Sequence, residues 1–526
     1  MSLIRKKKGL ESRARARARA RAGGGVGLKG GTKGQAGGLG GIPMRLLPFA
    51  GLFLVTLLPG QVIELGGRLE PFFDRALIAE SKGADLRLHE PRDEGVVMKF
   101  DRRWEGAFSA YCTILRDGDR LHLYYRGKKA GGPDGTGEVT CHAESRDGLS
   151  WTKPAANLPG APAGSNVILD EAGVTHNFSP FIDARPGVPA DERFKALGGT
   201  DTSGLFAFAS ADGLRWRRLQ AAPVLTKGAF DSQNVAFWSE KEGCYVAYFR
   251  IYTGGAPNGG WNPSGLRTVS RATSPDLLHW SEPKAMAFTP AQEHHFYTSQ
   301  AQPYFRAPHL LISTAARWVP GRRPLLDDEA AALKVDPAYY KSSKDASDCV
   351  FMTSRDGVTL EQNFREALIR PGLDLGQWVS RTGYPVLNLV QTGPAEMSLY
   401  TNQDYAQPTS HLRRYSWRLD GIASMSAPYT GGEFTTKPLR FTGRALRLNL
   451  ATSAAGSVRV EIQDADGKPL PGRTLAESHD FSGNRLEHDF RWKKGADLSD
   501  LAGRVIRLRF VLKDADVYSL RFVGTN

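Results

Sequence analysis

Cysteine and long apolar runs are scarce in this 526-residue sequence. Its four cysteines, Cys112, Cys141, Cys244 and Cys349, lie far apart without a CxxC pair, which argues against a structural zinc site. They could pair in an oxidising compartment, although sequence alone does not give the connectivity. No run reaches the roughly 20 apolar residues of a comfortable membrane helix, so a multi-span membrane protein is excluded. The 41% hydrophobic and 24% charged residues fit a globular chain of several domains, or one large repeat fold plus a module.

Positive charge is concentrated at the start of the chain. Residues 1–43 contain eleven Lys or Arg residues and one acid, which accounts for most of the net charge of +14. A nucleic-acid footprint should lie on a folded face, so nucleic acid is not expected as a partner. Residues 13–22 alternate Arg and Ala, and residues 23–41 are mostly Gly, so we predict a disordered basic low-complexity extension over 1–43.

A short apolar run follows this extension. Met44-Arg45 precedes the run from Leu46 to Leu58, which is the layout of a secretory signal peptide. We predict a signal peptide or short anchor over 44–60, translation beginning at Met44, and a secreted or periplasmic protein without a stable membrane span after processing. The alternative is a genuine basic tail with a short membrane anchor, because residues 58–61 lack a good small-x-small cleavage pattern.

A seven-residue motif recurs through the body of the chain. The Asp residues of its four copies are 65, 64 and 80 residues apart, and the copies are Ser145–Trp151, Ser210–Trp216, Ser274–Trp280 and Ser354–Leu360. Its Asp-Gly pair favours a tight turn, and its Trp packs the next strand onto a neighbour. Self-similarity at a long, nearly fixed period indicates a repeat architecture.

The segments around these turns have the composition of strands. Aromatic and β-branched residues dominate them, for example in Tyr111–Leu115, Leu121–Arg126, Phe194–Leu197, Leu205–Ser210, Val235–Trp238 and Tyr245–Phe249. About four strands in each repeat predict an all-β fold, a five-bladed β-propeller over 69–425, rather than a β-sandwich. An insertion at about 318–348 with a short helix explains the longer spacing. We expect Leu69–Leu88 to lend a strand to the last blade.

The C-terminal part differs in its pattern. Segments Leu446–Leu450, Val458–Ile462 and Val505–Phe510 alternate apolar and polar residues. This predicts a small β-sandwich module over 430–526, either a structural cap on the propeller or an independent sugar-binding domain.

The turns and the five-bladed architecture resemble the arabinanase, invertase and levansucrase superfamily of glycoside hydrolases. The run Arg414–Gly421 is similar to one that leads into the terminal sandwich of secreted bacterial relatives. The resemblance implies a carbohydrate substrate and paired carboxylates in an axial pocket. It implies no cofactor and allows a structural calcium ion in the propeller axis. The strict invertase motifs Trp-Met-Asn-Asp-Pro-Asn-Gly and Arg-Asp-Pro are absent, so the activity rests on the fold and the candidate carboxylates.

Glycoside hydrolysis usually needs two carboxyl groups across the scissile bond. In the propellers that the chain resembles, residues at the start of each inner strand line the pocket. The catalytic candidates are therefore Glu105, Asp231, Glu293 and Asp183. We expect Glu105 as base or nucleophile and Asp231 as acid, with Glu293 as a third carboxylate. Asp183 falls at the far end of its strand and is better explained as a turn cap.

Polar residues at comparable positions are candidates for substrate binding. They are Trp104, His176, Asn177, Asn234, Arg250, His295, Arg306 and Arg381. Adjacent strand residues point to opposite faces, so His294 and His295 do not predict a zinc site, and no metal ligand is assigned.

Three other functions fit the same sequence. A glycoside phosphorylase needs a phosphate cradle, for which Arg250, Arg306 and Arg381 are available. A non-catalytic glycan-binding or scaffold propeller predicts that the inner-strand acids do not converge. A sialidase-like enzyme, whose Asp-box the turns resemble with one residue missing, needs six blades, an Arg triad and a Tyr nucleophile. The sugar, the linkage and the oligomeric state stay open.

Overall fold

The structure is a computed structural model that describes residues 62–128, 137–254 and 264–524. All described residues belong to one compact unit, Pro59–Asn526. The predicted basic extension over 1–43 and the signal peptide or anchor over 44–60 therefore lie outside the described residues.

Five short strands precede the first repeat. They are β1 (Ile63–Gly66), β2 (Glu70–Pro71), β3 (Ile78–Lys82), β4 (Asp85–Leu88) and β5 (Arg92–Lys99). The first four join a C-terminal sheet, and β5 joins the last blade.

Blades one to three are four-stranded antiparallel sheets. Blade one contains β6 (Ala110–Asp117), β7 (Arg120–Lys128), β8 (Glu138–Ser145) and β9 (Val167–Leu169). Blade two contains β10 (Ser179–Ile182), β11 (Phe194–Thr200), β12 (Gly204–Ser210) and β13 (Arg217–Arg218), with a 3₁₀ turn at Ala190–Glu192. Blade three contains β14 (Val235–Ser239), β15 (Cys244–Tyr252), β16 (Arg267–Ser274) and β17 (Lys284–Ala285).

Blades four and five are more elaborate. Blade four contains β18 (Ala287–Thr289), β19 (His295–Phe296), β20 (Ala301–Tyr304), β21 (Ala307–Val319), β22 (Ala346–Ser354) and β23 (Thr359–Glu361). Helices α1 (Asp327–Ala332) and α2 (Pro337–Ser342) lie between β21 and β22, in the predicted insertion. After a 3₁₀ turn at Leu375–Trp378, blade five contains β24 (Tyr384–Pro385), β25 (Val390–Gly393), β26 (Glu396–Gln403) and β27 (His411–Arg418). These sheets confirm the five-bladed β-propeller.

The ring is closed by β5, which was not the predicted strand. It pairs antiparallel with β27, with Lys99 opposite His411. The expectation that Leu69–Leu88 would join the last blade is wrong, because β4 pairs with a C-terminal strand instead. The apolar residues of this segment explain the difference: the Phe72 ring packs edge-on against Phe434, with 5.5 Å between ring centroids.

A ten-stranded sheet completes the described part of the protein. Its C-terminal members are β28 (Ala423–Ala427), β29 (Gly432–Thr436), β30 (Leu439–Phe441), β31 (Ala445–Asp464), β32 (Asn484–Asp489) and β33 (Val505–Val523), with a 3₁₀ turn at Ser499–Leu501. The long strands β31 and β33 pair along their whole length, with a register shift between Thr452 and Ser457. Strands β1 to β4 also belong to this sheet, so the sheet extends beyond the predicted boundaries of 430–526. A separate sandwich domain over these residues stays a prediction.

The four turn motifs share one hydrogen-bond pattern. In the second copy, Oδ1 of Asp212 accepts the backbone N–H groups of Leu214 and Arg215, each at 2.8 Å. The Trp216 indole N–H donates to the carbonyl of Gly213 at 3.0 Å. Gly213 has a φ of +72°, which explains the glycine in three of the four copies.

All four cysteines lie in the described part, and all are free thiols. Burial raises the pKa of Cys112 to about 12. No helix in residues 62–128, 137–254 and 264–524 has the length and apolarity to span a bilayer.

Candidate active site

The ends of the blade strands place a cluster of charged and aromatic side chains around Asp231. Asp231 precedes β14 and His176 precedes β10, so both lie at the beginning of an inner strand. Arg381 precedes β24, and Tyr297 lies between β19 and β20. Residues from all five blades meet in this cluster, which lies where the propeller resemblance places an axial pocket.

The Asp231 carboxylate has four donors around it. His176 Nε2 lies 2.9 Å from Oδ1, and the Tyr297 hydroxyl donates to Oδ2 at 3.1 Å. The Tyr111 hydroxyl lies 3.5 Å from Oδ1, and an Arg250 guanidinium nitrogen lies 3.6 Å from Oδ2. Burial alone would raise the pKa of Asp231, but His176 and Arg250 hold that pKa far below its usual range. Asp231 is therefore ionised.

His176 connects Asp231 to a second carboxylate. Its Nδ1 lies 2.8 Å from Oε2 of Glu138, and Arg126 lies 3.5 Å from the other oxygen of Glu138. Burial alone would lower the pKa of His176, but the bonds to Asp231 and Glu138 outweigh it and raise that pKa. Both ring nitrogens face carboxylates, which favour the protonated ring, whereas the Arg126 guanidinium 3.3 Å from Nδ1 opposes it.

Two buried asparagines hold the loop that carries Asp231. The Asn177 amide donates to the carbonyls of Phe230 and Ser232, the second at 2.7 Å. The Asn234 amide donates to the same two carbonyls at 3.1 and 3.0 Å. Asn177 is fully buried and Asn234 likewise, so both position Asp231 rather than contact a sugar.

Asp201 is a further candidate residue, which the sequence analysis did not single out. It follows β11, and its Oδ1 accepts the backbone N–H of Asp231 at 2.8 Å. Burial raises the pKa of Asp201, and the charge of Asp231 raises it further, against the opposing effect of Arg250. The pocket therefore pairs an ionised carboxylate with one that protonates more readily than usual.

Two buried glutamine amides link the blades beside this cluster. The Gln233 amide donates to the Cys112 carbonyl at 3.0 Å and to the Thr113 hydroxyl at 2.8 Å. The Gln300 amide donates to the Gln233 side-chain oxygen and to the Pro385 carbonyl, both at 2.7 Å. These bonds join the inner strands, or the segments beside them, of blades one, three, four and five.

Glu105 does not join Asp231. Its side chain is 0% exposed and pairs with the Lys153 ammonium at 2.7 Å. The Tyr125 hydroxyl donates to it at 2.5 Å, and the backbone N–H of Arg102 donates at 2.9 Å. With its oxygens occupied inside blade one, Glu105 has no path to a substrate. Neighbouring Trp104 donates its indole N–H to Asn166 at 2.7 Å.

The other two predicted acids lie elsewhere. Asp183 accepts hydrogen bonds from the Tyr245 hydroxyl at 2.6 Å and from the backbone N–H of Arg185 at 3.0 Å. The second of these bonds fits the alternative in which Asp183 caps a turn. Glu293 is exposed and forms an ion pair with Arg365. Neither contributes a carboxylate to the cluster around Asp231.

The predicted binding residues also divide into those near Asp231 and those elsewhere in the protein. His176, Arg250 and Arg381 lie in the pocket. His295 Nδ1 accepts the backbone N–H of Arg267 at 3.0 Å, and Arg306 pairs with buried Asp420 at 3.0 Å. Arg306 is thus held by a residue between blade five and the C-terminal sheet. Among the described residues, no group of three or more His, Cys, Asp or Glu side chains could hold a metal ion.

No protein-family model matches the sequence, and no curated protein matches it. Among solved structures, the protein in a BT0996 RGII complex aligns over 62% of the present sequence and 92% of its own, with 14% identity and a TM-score of 0.42. A fructofuranosidase from Schwanniomyces occidentalis complexed with fructosylnystose aligns over 82% and 98%, with 9% identity and a TM-score of 0.40. A β-1,2-mannobiose phosphorylase from Listeria innocua aligns over 64% and 97%, with 8% identity and a TM-score of 0.40. Similarity this low does not transfer an activity.

Proposed function

We propose that the protein is a glycoside hydrolase that cleaves a poly- or oligosaccharide in the axial pocket. The observation that carries this proposal is the contrast between two neighbouring carboxyl groups. The pKa of Asp231 is held low, whereas the pKa of Asp201 is raised. Acid–base cleavage of a glycosidic bond uses one ionised and one protonated carboxyl group.

Asp231 is the ionised member of the pair. It either takes a proton from the attacking water or attacks the anomeric carbon itself. His176 and Tyr297 fix its two oxygens in position. This role differs from the sequence expectation, in which Asp231 was the acid and Glu105 its partner.

Asp201 is the proton donor to the glycosidic oxygen. Its raised pKa leaves more of it protonated in mildly acidic solution than an ordinary aspartate. Its contact with the Asp231 backbone holds the two residues side by side.

We expect cleavage at a chain end. The Gln233 and Gln300 amides tie the blades together beside the cluster, which supports a site open at one end rather than a channel. Secretion or a periplasmic location, inferred from residues 44–60, is part of this proposal.

A phosphorylase is the second candidate, and the arginines of the pocket favour it. Arg250 and Arg381 both lie within about 5 Å of the Tyr297 ring centroid, the distances being 4.7 and 5.1 Å. A sialidase-like enzyme is disfavoured, because its fold needs six blades and this propeller has five.

The test is cleavage of a panel of plant, algal and microbial polysaccharides, with and without inorganic phosphate. We expect the wild-type protein to release sugars without phosphate. Asp231→Asn and Asp201→Asn should each lower kcat about 100- to 10,000-fold.

The matched control is Glu105→Gln, which removes a carboxylate outside the pocket. It should retain kcat while lowering stability, since Glu105 pairs with Lys153 in a buried site. Strict dependence on phosphate would favour the phosphorylase. Glycan binding without cleavage, or full activity of Asp231→Asn, would contradict the hydrolase.

A further inference from the structure

Three arginines surround the ring of Tyr297. The guanidinium carbons of Arg250, Arg381 and Arg267 lie 4.7, 5.1 and 5.5 Å from the ring centroid. Arg250 and Arg267 come from β15 and β16, and Arg381 comes from the segment before β24. Blades three and five thus bring three positive charges to one aromatic side chain.

The carboxylates that form ion pairs at this cluster are shared with other cations. Asp231 lies 3.6 Å from Arg250 and also serves His176. Glu138 is committed to Arg126 and His176. In the described part of the protein, neither Arg267 nor Arg381 forms a side-chain ion pair. A buried cluster with excess charge of one sign is unfavourable unless a counter-charge joins it.

Several guanidinium N–H groups also have no acceptor. Arg250 is 4% exposed, yet its Nε and Nη1 have no hydrogen-bond partner. The Nε of Arg267 is buried without a partner as well. Buried donors are nearly always satisfied, so these donors indicate a missing acceptor.

We propose that Arg250, Arg267 and Arg381 bind an oxyanion of the substrate, the carboxylate of an acidic sugar residue. The forked N–H groups of a guanidinium match the two oxygens of a carboxylate. The single carboxylate of Asp231 cannot pair with three guanidinium groups, so a second oxyanion fits between them. The identification of the ligand as a sugar rests on the proposed function.

Arg250 fixes where the acidic residue binds. It contacts Asp231 and belongs to the arginine cluster, so the bound carboxylate lies beside the reacting carboxylates. The acidic residue is therefore the sugar whose bond is cleaved, at the chain end inside the pocket. Free phosphate offers the same oxyanion chemistry from another source.

Calorimetric titration of the full-length protein tests this subsite. The probes are glucuronate, galacturonate and inorganic phosphate, with glucose and galactose as neutral counterparts. We expect at least one oxyanion to bind about tenfold more tightly than the neutral sugars. Arg381→Gln and Arg267→Gln should each weaken that binding about tenfold. Arg365→Gln, which removes an exposed arginine paired with Glu293, should not.

The arms of the test separate the two sources. Uronate binding that phosphate does not displace identifies an acidic sugar, whereas phosphate binding that accelerates cleavage identifies a phosphate co-substrate. Asp231→Asn should retain uronate binding even though it lowers kcat, so failure of the hydrolase proposal is distinguishable. The inference is overturned if no oxyanion binds at millimolar concentration, or if folded Arg381→Gln and Arg267→Gln bind as well as wild type.

Discussion

His176 Nε2 lies 2.9 Å from Asp231 Oδ1, and the opposite ring nitrogen lies 2.8 Å from Glu138. One histidine ring therefore joins two carboxylates from different blades. The charge of His176 stabilises the ionised Asp231, so the protonation of this ring influences both stability and activity.

Replacing His176 should change the pH dependence of stability. The folded-state pKa of His176 lies above its ordinary 6.5, so its stabilising contribution is complete below pH 6.5 and is lost as pH rises through the folded-state value. We expect the advantage of the wild type over His176→Gln to shrink with rising pH in this window. Denaturant unfolding at a series of pH values measures it, and a constant difference would contradict the charged bridge.

The alkaline side of the activity profile should report Asp201. Activity requires protonated Asp201, so kcat should fall as pH rises through its raised pKa. Arg250 lowers that pKa, so Arg250→Gln should move the descending limb to higher pH. The pH profile of kcat at saturating substrate measures the shift. A limb that stays in place would remove Asp201 from the role of acid.

Acid should destabilise the protein through His142. This ring is buried against His122, with 3.0 Å between their nearest nitrogens, and burial lowers the pKa of His142 to about 3. In the unfolded protein His142 binds a proton near pH 6.5, whereas in the folded protein it stays neutral until about pH 3. The free energy of unfolding therefore falls as pH decreases through this range.

The slope from one such group is about 1.4 kcal/mol for each pH unit. We expect His142→Gln to lose part of this acid sensitivity. Unfolding free energies between pH 4 and 7 compare the two proteins, and identical slopes would show that His142 titrates normally.

The turn motif should contribute to stability in a measurable way. Asp212→Ala removes the acceptor for two backbone N–H groups and should cost about 2 kcal/mol. Asp119→Ala is the control, because Asp119 is exposed and pairs only with exposed Arg146. It should change the unfolding free energy by less than about 0.5 kcal/mol. Equal effects of both variants would contradict the capping role.

The blades could be predicted because their signal is local and repeated. A turn such as Ser210–Trp216 contains its own hydrogen bonds, so its sequence specifies it without the rest of the protein. The closing strand was mispredicted because strand pairing between residues 92–99 and 411–418 depends on contacts more than 300 residues apart. By sequence alone, a short alternating segment near the N-terminus could pair with a strand of the last blade or with a C-terminal strand.

The site could be predicted only in part, because the search followed the beginnings of inner strands. That rule found His176, Asp231 and Arg381. Asp201 was missed because it follows the second strand β11, which runs antiparallel to the inner strand and returns to the same edge of the blade. Arg250 lies near the end of the second strand β15 and was a candidate for binding although it is outside this rule. Glu105 satisfied the rule by position, yet its Lys153 partner lies 48 residues further along the sequence, where nothing in the local pattern indicates the pairing.

The distance from the Asp201 carboxyl to the scissile glycosidic oxygen is the most direct test of the mechanism. It can be measured in a crystal of Asp231→Asn bound to an oligosaccharide that the wild-type protein cleaves. We predict an oxygen of Asp201 within hydrogen-bonding distance of that glycosidic oxygen, with the anomeric carbon facing residue 231. An oligosaccharide bound outside the axial pocket, or a scissile bond out of reach of Asp201, would contradict it.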